Sequence, residues 1–170
     1  LGEVAKLLEG EEDVLCALSE KHVIFRIGKY DVVSRLLEGE FIDYKSSIPT
    51  TENTVIEVSV KDLLSAIDRT TLLINDRLKS PIHVSMDDGE IKISCSTAIG
   101  KINDTVQCDM KGDSITMGFN NRYLLEALRA TGCDRVKMVI NSQLAPVKIL
   151  PLEGESFLFL VLPVRMRAEM

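Results

Sequence analysis

Apolar residues recur along the chain in two rhythms, one alternating and one helical, and the order of the two rhythms repeats. Residues 54–60, Thr-Val-Ile-Glu-Val-Ser-Val, form a β-rich run, and a helical pattern follows from Lys61 to Asn75. Strand patterns then cover Pro81 to Met86, Glu90 to Ser96 and Lys101 to Met110, with the turn Asp87-Asp88-Gly89 between the first two. The succession starts again with a strand from Ser114 to Phe119. Asn120 or Asn121 supplies an N-cap for a helix through Ala130, which Thr131-Gly132 ends. Strands over Arg135 to Ile140, Val147 to Leu150 and Ser156 to Leu162 complete a second β-α-β-β-β unit.

The N-terminal stretch fits the same template without its first strand. A short amphipathic helix over Val4 to Gly10 precedes strands at Val14 to Ser19, Val23 to Ile27 and Tyr30 to Leu37. Gly39 to Thr51 is polar and contains Pro49, and reads as an interdomain connector. Two units make a domain of about 120 residues, so the chain holds one whole domain and half of another. The predicted fold is α+β, built from repeated β-α-β-β-β units with helices on one side of continuous antiparallel sheets.

At ~100° per residue, Leu63, Leu64, Ile67, Thr71 and Ile74 share one stripe of the first long helix. Leu72 and Leu73 fall off that stripe. Either they touch something outside the unit, or the domain's own loops cover them. The helix after Asn120 buries Leu124, Leu125 and Leu128, and carries Arg122 and Arg129 on its other face beside Glu126. Arg69 and Lys6 occupy the equivalent outward faces of the two earlier helices. These cations belong either to a solvated face with i,i+4 pairing or to one cationic side shared by all the helices.

Composition narrows the chemistry. The chain is 45% hydrophobic and 27% charged but only 5% aromatic, without Trp, so Leu, Ile and Val must build the core. Twenty Lys and Arg against 26 Asp and Glu give a net charge of −6, which argues against a free-standing basic nucleic-acid binder. No apolar run approaches the ~20 residues of a membrane span, and Leu1-Gly2-Glu3 reads as the interior of a longer sequence, with no signal-peptide pattern. Cys16, Cys95, Cys108 and Cys133 have no metal-like spacing to one another or to His22 and His83, and read as reduced, buried thiols of a cytosolic protein. Both histidines alternate with core residues and read as solvent-facing strand positions. There is no G-x-S-x-G, phosphate-cradling glycine loop or H-E-x-x-H. The expectation is no catalytic residue, no metal and no cofactor, hence no enzyme.

Three motifs, in order, carry a resemblance that covers essentially the whole chain. Ser34-Arg35-Leu36-Leu37-Glu38-Gly39-Glu40-Phe41-Ile42-Asp43-Tyr44 resembles the (S/K)-(R/K)-L-x-(E/D)-G-x-(F/Y)-P-D-Y segment of the bacterial DNA polymerase III β subunit, the sliding clamp. Gly118-Phe119-Asn120, followed by Tyr123-Leu124-Leu125-Glu126-Ala127-Leu128, looks like the entry to that family's last helix. Leu160-Val161-Leu162-Pro163-Val164-Arg165 is similar to its C-terminal V-M-P-M-R or I-L-P-V-R signature. Ile42 departs from the family's usual Pro, and Ser46-Ser47 stand where many relatives carry a basic and an apolar residue.

The resemblance implies a DNA clamp fold and a topological mechanism. Two subunits, each of three domains, close into a ring that encircles duplex DNA without reading its sequence. Residues 1–47 would be the C-terminal half of the middle domain and residues 48–170 the complete third domain, with the first domain absent. Lys6, Arg69, Arg122 and Arg129 become the DNA-facing candidates, making loose, salt-sensitive phosphate contacts. By position, the last-domain half of a hydrophobic groove would comprise Asn120, Tyr123, Leu144, Pro146, Leu160, Leu162, Pro163 and Val164. That groove would capture short motifs of the replicative polymerase, the clamp loader and other proteins. Leu72 and Leu73 match positions buried across the subunit interface of the full-length homodimer. The implied location is cytoplasmic and nucleoid-associated, with no membrane partner. The competing reading is a dimerising regulatory module of the same repeats that does not act on DNA. Residues 1–47 carry 6 basic and 10 acidic groups and residues 48–170 carry 14 and 16, so neither part is basic.

Overall fold

A computed structural model describes residues 1–8, 13–74 and 80–166, and divides the chain into two compact units, 1–42 and 43–170. In the first unit a short helix α1 (Gly2–Lys6) precedes three strands, β1 (Leu15–Leu18), β2 (His22–Ile27) and β3 (Tyr30–Arg35). They form an antiparallel meander in the order β1-β2-β3. The helix starts and stops earlier than Val4 to Gly10, and the stop expected at Gly10 lies outside the described residues. Cys16 is exposed on β1, which corrects the expectation of a buried thiol. His22 is exposed as expected.

The second unit begins with a 3₁₀ turn at Tyr44–Ser47 inside the expected connector. Then come β4 (Thr54–Ser59), α2 (Val60–Thr70), β5 (Ile82–Asp87), β6 (Glu90–Thr97) and β7 (Gly100–Gly112). The pattern repeats as β8 (Ile115–Phe119), α3 (Asn121–Ala130), β9 (Arg135–Ile140), β10 (Val147–Leu150) and β11 (Phe159–Val161). The two β-α-β-β-β repeats are present. Their eight strands form one antiparallel sheet in the order β11-β10-β9-β4-β7-β6-β5-β8.

That order shows what periodicity alone does not. Each repeat's first strand joins the other repeat's strands. β4 pairs with β9, with Val58 opposite Val136, and β8 pairs with β5, with Met117 opposite Val84. The two halves meet where β4 also pairs with the far end of β7, Ile56 opposite Met110. Strand alternation then sends Ile56, Val58, Ile82, Val84, Met86, Ile91 and Ile93 to one face. Val136, Met138, Ile140, Val147 and Ile149 join them in a single core with Leu63, Ala66 and Ile67 of α2 and Leu124, Leu125 and Leu128 of α3. The fold is α+β, with both helices on one side of the sheet.

Local chemistry sets the element ends. The Ser59 side chain accepts a hydrogen bond from the Asp62 N–H and starts α2, a cap worth about 1 kcal/mol. The helix ends at Thr70, short of the expected Asn75, a residue outside the described ones. The reason lies in two consecutive threonines. Their hydroxyls donate to the carbonyls of Ile67 and Asp68, each at 2.6 Å, while the Thr71, Leu72 and Leu73 N–H groups tighten to bonds three residues back. The buried stripe of α2 is accordingly Val60, Leu63, Ala66, Ile67 and Thr70, and Thr71 is exposed.

Asp88 (φ 46°) and Gly89 (φ 77°) make the tight β5–β6 turn. Gly112 (φ 107°) is required for a second reason: a Cβ there would lie 2.0 Å from the Asn53 carbonyl oxygen, where β7 runs alongside the start of β4. The strand expected over Ser156 to Leu162 shrinks to three residues. Buried polar groups are satisfied: the Thr54 hydroxyl donates to the Asp113 carbonyl at 2.7 Å, and Asn121 donates to the Thr70 hydroxyl at 3.3 Å, tying α3 to α2.

Phe119, fully buried in this core, and Leu144, exposed in a loop, give a stability contrast. Phe119→Ala should cost about 3–5 kcal/mol, read as a lower urea midpoint of the second unit. Leu144→Ala should stay within about 0.5 kcal/mol.

Candidate functional site

The residues proposed from sequence fall into three groups. The first is the four outward cations. Lys6 lies on α1 and bonds Glu3 at 2.7 Å. The other three lie on the solvent side of α2 and α3, which pack beside each other. Arg69 is held by Asp104 of β7 and by the Ser65 hydroxyl at 2.8 Å. Arg122 donates to Glu126 one turn on at 2.7 Å, and Arg129 crosses to Asp68 of α2 at 3.1 Å. The second unit therefore brings three arginines to neighbouring helices, each beside a carboxylate.

The second group is the groove. An open cleft of about 800 Å³ lies at the N-terminal end of α3, and Asn120, Tyr123 and Val164 line it. Asn120 caps the helix by accepting from the Arg122 N–H at 3.0 Å. Tyr123 is more than half exposed. The cleft also takes Arg122 and Arg129, so the cationic face and the groove share a border. Thr71, Ile74, Ser80, Pro81, Asn121, Leu125 and Glu126 complete the wall, none of them named as groove residues from sequence. Leu125 and Ile74 carried only the signal of a core stripe.

Leu144, Pro146, Leu160, Leu162 and Pro163 do not line this cleft. Leu160 stands opposite Lys148 on the sheet face turned away from the core, while Leu162 and Leu144 are largely exposed. Lys148 is another residue the sequence reading missed. Only 7% exposed, it is flanked by Val139 and Leu160 across the strands and bonds Glu52 at 3.2 Å. A single charged residue in a strand gave no hint of this burial.

The C-terminal segment is fixed by a short bridge. The Val164 N–H donates to the Gly118 carbonyl of β8 at 2.8 Å. Gly118 permits that approach: a Cβ there would stand 2.7 Å from the Val164 carbonyl oxygen and 2.8 Å from Met166 Cγ.

The third group is Leu72 and Leu73, and here the structure separates the pair. Leu72 is 78% exposed just past the end of α2. Leu73, against the off-stripe expectation, is half-buried against the domain's own core and lies over Gly100. The early end of α2 at Thr70 turns it inward.

Among the described residues no group of three or more His, Cys, Asp or Glu side chains could hold a metal ion. Among the same residues no helix is long and apolar enough to cross a membrane. His83 is half-buried on β5 rather than solvent-facing. Of the cysteines expected to be buried, Cys95 is, while Cys108 and Cys133 are only partly so. Burial pushes the Cys95 thiol up, and burial with the nearby Asp109 and Glu90 charges pushes the Cys108 thiol up. Both are thereby held in the unreactive protonated form.

Exchanged β-α-β-β-β repeats, with paired helices on one side and a cleft beside the C-terminal segment, define a clamp-type α+β domain. Residues 45–165 match the family model described as DNA polymerase III beta subunit, C-terminal domain. The beta sliding clamp of Staphylococcus aureus (strain Mu50 / ATCC 700699) is 31% identical over 170 residues, an alignment covering 97% of this chain and 45% of that one. The Bacillus subtilis DNA polymerase sliding clamp superposes with a TM-score of 0.88 at 29% identity, over 98% of this chain and 45% of that one. A sliding clamp from Bartonella birtlesii, solved bound to griselimycin, gives 0.87 at 29% identity, over 97% of this chain and 45% of that one. The chain belongs to the DNA polymerase III β subunit family. It spans less than half the length of the relatives it matches.

Gly118→Ala should push the C-terminal segment off β8. Hydrogen exchange of the Val164 amide should accelerate by about tenfold or more, with the β5–β6 amides still protected.

Proposed function

We propose that this chain supplies the last part of a ring-shaped sliding clamp. Residues 1–47 serve as the C-terminal half of its middle domain and residues 48–170 as its complete third domain. The ring encircles duplex DNA in the cytoplasm, on the nucleoid. It tethers the replicative polymerase, the clamp loader and other proteins through short motifs bound in the groove, and performs no chemistry of its own.

The observation that carries this reading, given the family, is the solvent side of α2 and α3. There Arg69, Arg122 and Arg129 stand on neighbouring helices backed by one wide sheet. Phosphates are bound there by charge alone, without base-edge contacts. The cleft beside Asn120, Tyr123 and Val164, with Ile74, Pro81 and Leu125 in its wall, suits an apolar peptide anchor.

Encirclement is tested by loading the full-length protein onto nicked circular DNA. It should stay bound at moderate salt and be lost when the circle is cut. Retention on the linear form would refute a topological link, and failure to load at all would favour a module that does not act on DNA.

Leu72 is the side chain offered to a partner subunit. Leu72→Ala should shift the full-length dimer toward monomer in sizing experiments. Leu73→Ala should chiefly lower the stability of the third domain, because that side chain already packs at home.

A further inference from the structure

Each of the three arginines on the two neighbouring helices is paired with a carboxylate. Arg122 is held by Glu126, Arg129 by Asp68, and Arg69 by Asp104 together with Ser65. The three pairings share no sequence rule. One runs along α3, one crosses from α3 to α2, and one reaches from α2 to β7. A surface shaped only to attract phosphate would leave its guanidinium groups unopposed. Here a phosphate can win an arginine only by replacing a carboxylate that already occupies it.

The pairs also differ in how firmly they hold. Arg122, Glu126, Arg129 and Asp68 are all more than half exposed, so solvent screens both pairs and the exchange is easy. Asp104 is only 22% exposed, which leaves it less screened and Arg69 more tightly held.

We propose that Glu126 and Asp68 limit the affinity of this face for DNA. They hold Arg122 and Arg129 in place and compete with backbone phosphates for them, which keeps each contact brief and lets the protein move along the duplex. Asp104 keeps Arg69 largely out of that exchange. This inference rests on the encirclement reading above.

The test measures binding of a fluorescein-labelled duplex to the full-length protein by anisotropy, across a salt titration. Glu126→Gln and Asp68→Asn should each tighten binding about threefold to tenfold at low salt, and steepen the salt dependence by about 0.9 for each further phosphate neutralised. Arg122→Gln and Arg129→Gln should weaken binding. Asp109→Asn, which removes the carboxylate paired with Arg135 on the opposite face of the sheet, is the control for net charge and should change little.

If the arginine variants weaken binding but Glu126→Gln and Asp68→Asn leave it unchanged, the proposal fails while the DNA-facing reading stands. If Asp109→Asn tightens binding as much as Glu126→Gln, bulk charge is the cause and the proposal fails. If none of the helix variants moves the affinity, the DNA-facing reading fails with it. Glu126→Gln alone decides the matter should Asp68→Asn loosen the packing of α2 on α3, because Glu126 bonds within its own helix.

Discussion

The exchange of leading strands between the two repeats is the constraint on which the second unit depends. β4 sits between β9 and β7, and β8 completes the edge beside β5. Neither repeat can finish its own sheet, so neither can bury its helix alone. The exchange also puts α2 and α3 over one shared core, close enough for Asn121 to reach Thr70 and Arg129 to reach Asp68. The border between the arginine-bearing helices and the cleft follows from that single topological fact.

Much of this was legible in the residues. The alternation through Ile56 and Val58, the Asn120 cap and the Leu124-Leu125-Leu128 stripe each had a local cause, and local causes can be read from sequence. What escaped the reading was set by contacts distant in sequence or by competing local bonds. The side chains of Thr70 and Thr71 ended α2 early, which periodicity could not register because Thr71 and Ile74 prolong the apolar stripe beyond that point. The partners of Arg69 and Arg129 lie 35 and 61 positions away, so only the Arg122–Glu126 spacing was visible. Lys148 entered the sheet interior under Glu52 for the same long-range reason.

The candidate groove residues came only from family resemblance, and the structure gathers some of them, not all, around one cleft. Asn120, Tyr123 and Val164 meet around one cleft because the helix start and the C-terminal segment converge on β8. Leu160 belongs to the other sheet half, on the surface turned away from the core, and Leu144 and Pro146 lie in the loop between β9 and β10. The net charge of −6 is likewise silent about the helix face. A sum over the chain carries no information about whether a given arginine has its own carboxylate, which here depends on contacts between separate elements.

The bridge from Val164 to Gly118 has a consequence beyond the cleft. β11 and β8 are the two margins of the sheet, and only Leu162 and Pro163 separate the end of one from the residue that bonds the other. Open margins are where foreign strands add on and where identical chains swap segments or polymerise. In this unit one margin is only three residues long and the other is capped by the protein's own last turn of extended chain, with a proline that has no N–H to donate. A three-residue margin at one side and a bridged margin at the other leave this sheet little open edge for such pairing.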